Sequence, residues 1–348
     1  MLLTPIERAS FDSFSSILQP IKSLQEDPSI SEICINKFDS IFVERNGRLE
    51  KSDIVIESNK LRMAIKYLAT GVGNKEAIPG TTSGIVNAAF EGMRIAAVMY
   101  PTAIDGDAIC IRKHSKKNYT VNDYLDKGAF DRKKIAAEKH HTDKQISPSE
   151  DMENEKLIEF IKQEILNKKN FLISGGTNAG KTSLLNMFLQ FIPLDQRVIT
   201  IEDTEELKPV VPNRVRLLSN KSQGVTSQLL VELCLRMRPD RIIAGEVRNA
   251  EALDFLQALN TGHDGGFASL HAKNAEMTLV RLESLAIRGL PPGIKMSPDA
   301  IKRDIVDCID YVIHFKKSAS SEFRYLNELV QVVGVEKGEY LAKSLFSC

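Results

Sequence analysis

Hydrophobic and polar positions change rhythm along this chain. Through about residue 115 the apolar runs are short and alternating. Glu32-Ile-Cys-Ile and Ser40-Ile-Phe-Val-Glu read as strands, and Asn46-Gly47 follows where two positive φ angles would close a hairpin. Leu61, Ile65 and Leu68 recur at helical spacing before Gly71 and Gly73 stop the pattern. Arg94-Ile-Ala-Ala-Val-Met and Ala108-Ile-Cys-Ile-Arg112 are two further strands, each with an arginine at one end. Near the start, Phe11, Phe14, Ile17, Leu18 and Ile21 form an apolar helical stripe with serines between them. Packing onto its own domain is the expected use, with peripheral membrane contact as the alternative.

Residues 138–153 contain almost nothing apolar and one proline, which marks a hydrophilic linker. The sequence thus divides into an N-terminal mixed α/β domain (1–137), the linker (138–153) and a second domain (154–348). His140 and His141 fall in the linker and are expected to be solvated side chains rather than metal ligands. Beyond it, Leu157, Ile158, Ile161 and Ile165 mark an amphipathic helix. Asn170-Phe-Leu-Ile-Ser, Arg197-Val-Ile-Thr-Ile and Arg241-Ile-Ile-Ala are buried-strand runs separated by helical segments, the signature of a largely parallel sheet covered by helices. Tyr311-Val-Ile-His-Phe, Leu329-Val-Gln-Val-Val-Gly-Val and Tyr340-Leu-Ala are expected to close the chain as antiparallel strands, with a turn at Lys337-Gly338.

Composition narrows the partners. With 46 basic and 46 acidic residues in 348, the formal net charge is zero, so the chain as a whole exerts no long-range pull on nucleic acid or anionic lipid. Seven tyrosines and no tryptophan give little sign of a base-stacking groove, and direct nucleic-acid binding is not expected. No run of 18 residues lacks a charge and no basic region leads into an apolar run, so neither a membrane span nor a secretory signal is expected. The five cysteines never form a Cys-x-x-Cys pair, which fits a reducing cytoplasm and argues against a disulfide framework or a zinc knuckle.

The strongest chemical signal is Gly175-Gly-Thr-Asn-Ala-Gly180-Lys181-Thr182, which fits the phosphate-loop pattern without a gap, after one strand and before a helical run. Glycines let successive N–H groups converge on one point where a helix dipole adds positive potential. Lys181 then reaches the β- and γ-phosphates and the Thr182 hydroxyl ligates magnesium. The nucleotide-binding set is Gly175, Gly176, Thr177, Asn178, Ala179, Gly180, Lys181, Thr182 and Ser183, for ATP with Mg2+.

Hydrolysis also needs carboxylates. Ile199-Thr-Ile-Glu202-Asp203 and Arg241-Ile-Ile-Ala-Gly-Glu246 end two strands in acids, and parallel strands deliver their carboxyl ends to the crevice where a phosphate loop begins. Gly262-His263-Asp-Gly-Gly-Phe-Ala-Ser-Leu-His271-Ala places two histidines around a short strand. They can hydrogen-bond a γ-phosphate or report its loss, or be satisfied core histidines; a zinc role is disfavoured because no cysteine or third histidine lies close in sequence.

Four segments therefore occur in order: the phosphate loop, Thr-Ile-Glu-Asp-Thr-Glu-Glu-Leu, Leu-Arg-Met-Arg-Pro-Asp-Arg-Ile-Ile-Ala-Gly-Glu-Val-Arg, and Leu-Asn-Thr-Gly-His-Asp-Gly-Gly-Phe-Ala-Ser-Leu-His-Ala. Together they resemble the Walker A, Asp box, Walker B and His box of the secretion ATPase superfamily, and look most like its type IV secretion and conjugal-transfer branch. The similarity spans residues 154–290; the N-terminal half matches loosely, through Ile-Arg-Lys at 111–113 and Tyr-Leu-Asp-Lys-Gly-Ala-Phe. The resemblance implies a RecA-like second domain and a homo-hexameric ring with ATP held between domains. It also implies other type IV secretion components, inner-membrane ATPases and channel proteins, as partners; the expected location is cytoplasmic, with peripheral inner-membrane association as the alternative.

Carried over, Glu202 resembles the water-activating glutamate, and Glu246 the Walker B acid, holding magnesium through water. His263 and His271 match the His-box pair, and Arg94 and Arg112 resemble arginines that reach the γ-phosphate. Gly-Glu stands where a generic Walker B has Asp-Glu, so the sequence leaves open how Glu202 and Glu246 divide the labour. The absence of paired Cys-x-x-Cys motifs speaks against the type II branch. A pilus motor and a nucleotide-gated scaffold with negligible turnover are the remaining alternatives.

Overall fold

The computed structural model describes residues 4–73, 76–113, 119–139, 154–220, 224–291, 293–294, 296–318 and 321–347. The chain forms two compact units, residues Met1–Lys117 and Asn118–Cys348.

In the first unit, helices α1 (Pro5–Ile17), α2 (Lys22–Glu26) and α3 (Ser58–Gly71) accompany strands β1 (Ile30–Lys37), β2 (Ser40–Arg45), β3 (Arg48–Ser52), β4 (Ile85–Phe90), β5 (Met93–Val98) and β6 (Ala108–Lys113). The strands make one antiparallel sheet in the order β3-β2-β1-β6-β5-β4. Asn46 and Gly47, at φ 47° and 78°, close the β2–β3 hairpin as the sequence predicts. Alternation sorts the sheet into two faces: Ile33, Ile35, Ile95, Ile109 and Ile111 are buried in the core, while Glu32, Cys34, Cys110 and Arg112 on the other face are half-buried.

The amphipathic stripe belongs to this core. Phe11, Phe14, Leu18 and Ile21 are all at most 2% exposed, and Phe11 stacks on Phe90 with ring centroids 4.1 Å apart. Burial of each such side chain stabilises by about 1.5–3 kcal/mol, which opposes releasing them to a membrane surface. The stripe is therefore internal, which removes the sequence basis for membrane contact by this helix. Gly71 has a packing reason as well as a helix-stopping one, since a Cβ there would lie 3.1 Å from the Phe11 ring.

The second unit carries α4 (Val121–Lys127), α5 (Arg132–Lys139), α6 (Asn154–Leu166), α7 (Lys181–Leu189), α8 (Ser227–Leu235), α9 (Glu251–Asn260), α10 (Ala275–Gly289) and α11 (Pro298–Cys308). Its strands are β7 (Phe171–Ser174), β8 (Val198–Glu202), β9 (Arg214–Leu218), β10 (Arg241–Ala244), β11 (Phe267–Leu270), β12 (Tyr311–Lys317), β13 (Arg324–Glu336) and β14 (Glu339–Ser347). They form one sheet, β14-β13-β12-β7-β11-β10-β8-β9, parallel from β12 through β9. Phe171 and Ile173 point into one core and Leu172 into the other, so β7 reads as a continuous apolar run because both faces are covered.

Two expectations change. Of the closing strands, β12 pairs parallel with β7 and antiparallel only with β13, because the helical crossover α10–α11 returns the chain in the direction of β7. The units divide after Lys117 rather than after residue 137: Tyr124, Ala129, Phe130 and Ile135 are buried in the second unit's core with Phe315 and Tyr325, and Leu326 N–H donates to Ala129 O. Of the expected linker, Glu138 and Lys139 end α5, and 140–153, including His140 and His141, lie outside the described residues. Among the described residues no helix is long and apolar enough to cross a membrane.

Asn170, just before β7, ties three elements together. Its Oδ1 accepts from Gly265 and Gly266 N–H, both at 2.7 Å, and its Nδ2 donates to Cys308 O at 2.7 Å. Asn170→Ala strands buried backbone groups at about 1–3 kcal/mol each, so we expect it to lower the stability of the second unit by about 3 kcal/mol in urea titrations, with little change at an exposed control such as Asn167→Ala.

Candidate functional site

After β7 the chain turns into α7 through Gly175, Asn178 and Gly180, with φ angles of 157°, 60° and 96°. A Cβ on Gly175 would sit 2.2 Å from Phe315 O in β12, so a side chain there collides with the neighbouring strand's backbone. Gly180 occupies the α7 N-cap and has no side chain to occupy the first-turn amides, which leaves the positive helix end for an anion. Gly176, Thr177 and Asn178 are exposed at the loop tip, Ala179 is buried beneath it, and Thr182 and Ser183 are half-buried in the first helical turn. Lys181 Nζ donates to Gly175 O and Gly176 O, each at 3.0 Å, and lies 3.4 Å from His271 Nδ1. Arg324 of β13, which sequence reasoning missed, donates from Nε to Asn178 O at 2.9 Å and steadies the tip.

Parallel pairing sets what stands beside this loop. Moving outward from β7, the next strand ends carry His271 (after β11), Gly245-Glu246 (after β10) and Glu202 (on β8). Glu246 Oε2 accepts from Arg248 Nη2 at 2.5 Å, and His271 Nε2 lies 3.2 Å from Oε1. That oxygen is buried, with the His271 ring as its neighbour. Burial pushes the Glu246 carboxyl up, but His271 and Arg248 outweigh it and hold it down to about 2. Arg248 also reaches Asp203 Oδ2 at 3.7 Å. A chain of contacts therefore runs Lys181–His271–Glu246–Arg248–Asp203. The only sequence sign of Arg248 was its place two residues after Glu246.

Glu202 is treated differently. It is buried, and its Oε1 accepts from Glu206 and Leu207 N–H at 2.8 and 2.7 Å. Burial pushes its carboxyl up to about 7, and these amides only partly oppose it. The same loop is fastened to the phosphate-loop helix, where Asn186 donates to Glu206 O at 3.0 Å and accepts from Lys208 N–H at 2.7 Å. Gly245 stands where a generic Walker B has aspartate, and a Cβ there would lie 3.2 Å from Glu202 Cγ, a tight contact. Asp203 turns aside and accepts from Ser219 at 2.6 Å.

The two histidines are not brought together. His271 follows β11 at the phosphate-loop edge, whereas His263 precedes it, with Nδ1 3.1 Å from Ala258 O at the end of α9. A four-residue strand spans about 13 Å, so parallel topology sends His263 to the opposite edge. The two histidines thus flank β11, as the sequence predicts, and only His271 stands beside Lys181. Arg94 and Arg112 lie in the first unit, opposite each other on β5 and β6, and Arg112 Nη2 pairs with Glu32 Oε2 at 3.2 Å.

A parallel sheet with a phosphate loop after an inner strand, one strand inserted before the Walker B strand, and acids on the strand ends defines a RecA-like P-loop nucleotide-binding ATPase. Residues 140–315 match the family model described as type II/IV secretion system protein. The chain is 29% identical over 323 residues to the Brucella suis type IV secretion system protein VirB11, covering 89% of this chain and 86% of that one. It is 31% identical over 286 residues to a Mycobacterium tuberculosis protein named for conjugal transfer, covering 79% of this chain and 74% of the other. Among solved structures, the Legionella pneumophila ATPase DotB shares the fold, at a TM-score of 0.55 and 20% identity over 93% of this chain and 81% of that one. The chain belongs to the type II/IV secretion system protein family, on its type IV secretion and conjugal-transfer branch, and is an ATPase of that kind.

Gly175→Ala is expected to reduce ATP binding at least tenfold in a fluorescent-nucleotide titration, through its collision with β12. Glu202 generates a stability prediction. A carboxyl whose pKa is raised by folding binds its proton more tightly folded than unfolded, so its contribution is intact below the ordinary 4.5 and is lost as pH rises through about 7. Glu202→Gln, which cannot ionise, should then be more stable than the parent at pH 8, by up to about 3 kcal/mol, with the gap closing toward pH 4.5. Thermal unfolding at a series of pH values checks this.

Proposed function

We propose that this protein hydrolyses ATP at the phosphate loop to drive substrate transfer or pilus assembly in a type IV secretion or conjugation apparatus. Glu202 acts as the general base and Glu246 as the permanently anionic partner of the cation. The observation that carries this division is the opposite tuning of two glutamates on neighbouring parallel strands. A carboxyl raised toward 7 is poised to accept a proton from water, whereas one held near 2 stays charged throughout.

Thr182 and Glu246 suit magnesium, because a hydroxyl and a carboxylate held anionic beside His271 and Arg248 are the hard oxygen donors that ion takes. When bound, the ion would neutralise charge on the phosphates. Lys181 exchanges the loop carbonyls for phosphate oxygens, and the amides from Gly175 to Ser183 hold them. His271, which touches both Lys181 and Glu246, would register whether the terminal phosphate is present. Arg94 and Arg112 would supply further positive charge to it, a role resting on family resemblance. A homo-hexameric ring on the cytoplasmic side of the inner membrane rests on the family resemblance, and work with other type IV secretion components on the names of the relatives.

Phosphate release from purified protein tests the reading. Lys181→Ala should abolish it. Glu202→Gln should keep ATP binding but lose at least ~100-fold in turnover, and kcat of the parent should rise through about pH 7. A Glu202→Gln variant that hydrolyses at the parent rate would remove Glu202 from the role of base.

A further inference from the structure

Among the described residues, one group of three His, Cys, Asp or Glu side chains brings its ligand atoms within reach of a shared ion: Glu32, Cys34 and Cys110, all within 4.8 Å of one another. It lies on the half-buried face of the first unit's sheet, outside the phosphate site. Register builds it. Cys34 on β1 stands directly opposite Cys110 on β6, and two residues along the same strands Glu32 stands opposite Arg112. With period-two alternation all four share one face. Cys110 Sγ donates to Glu32 Oε1 at 3.0 Å, and Arg112 Nη2 donates to Glu32 Oε2 at 3.2 Å.

We propose that Cys34, Cys110 and Glu32 form a binding site for a thiophilic d10 cation of the Zn2+ class. Tetrahedral zinc, with metal–sulfur bonds near 2.3 Å, sets its sulfurs about 3.8 Å apart, so the group closes on an ion with small side-chain movements. Two thiolates and a carboxylate fill three positions and leave the fourth for water. The two oxygens of Glu32 already have separate partners. Oε1 faces the sulfur, and Oε2 is held by Arg112, the kind of outer contact that orients a ligating carboxylate.

Binding is a proton exchange. Both S–H bonds break, two metal–sulfur bonds form, and about two protons leave to solvent for each divalent cation bound.

The test uses the full chain, reduced and metal-free, in a Cys348→Ser background, since Cys348 lies outside the described residues. Titration with Cd2+ should raise a thiolate-to-metal charge-transfer band in the ultraviolet that saturates at one equivalent. Cys34→Ser and Cys110→Ser should each abolish the band, and Glu32→Gln should weaken binding at least tenfold. Cys234→Ser and Cys308→Ser, at buried thiols of the second unit, should leave it unchanged. A second measurement needs no variant at these positions: Zn2+ should slow iodoacetamide alkylation of Cys34 and Cys110 at least tenfold, read peptide by peptide by mass spectrometry. No saturating band, a band surviving either cysteine substitution, or alkylation indifferent to Zn2+ overturns the proposal.

Discussion

The phosphate site depends on parallel hydrogen-bonded pairing across β7, β11, β10 and β8. Parallel strands with helical crossovers all deliver their carboxyl ends to one edge, and that shared direction, rather than any bond between functional side chains, places Gly175, His271, Glu246 and Glu202 on one side of the sheet. The same rule sends His263 away, since it precedes β11 instead of following it. Asn170 secures the arrangement at the opposite edge, where its side chain fastens the starts of β7 and β11 to the end of α11.

Within that frame, environment separates two chemically identical carboxyls. Both glutamates are withdrawn from solvent, a change that by itself raises a carboxyl pKa. Glu246 has His271 and Arg248 beside it, and their contacts outweigh the desolvation penalty. Glu202 has only two backbone amides, and there desolvation prevails. At Gly245, the departure from the Walker B pattern, the absent side chain leaves the Glu202 stem unobstructed, since a Cβ there would lie 3.2 Å from it.

Much of this was legible along the chain. Asn46-Gly47 and Lys337-Gly338 close hairpins with the positive φ angles their residue types favour, the latter at 52° and 82°. The phosphate loop sits between a buried strand and a helix as its motif requires. Local steric preference and period determine such features, so they survive in any tertiary context. Less legible were Arg324 and Arg248, whose partners are set by folding. The Cys34–Cys110 pair was hidden for the same reason, because spacing rules look for ligands close in sequence and these meet across a strand register. The extent of the second unit was misjudged because residues 121–135 carry too few apolar positions to declare which core they join.

Sequence by itself determined the two-part organisation, the phosphate loop, the identity of the acids at the strand ends and the family, because each rests on local pattern or on a contiguous motif. Tertiary structure decided which histidine stands beside Lys181, which direction β12 runs, that the N-terminal stripe faces inward, and in which direction each glutamate's carboxyl is shifted. Those outcomes depend on burial, on strand order and on neighbours distant in the chain, and electrostatic energy inside a protein is governed by what surrounds a group rather than by what precedes it in sequence.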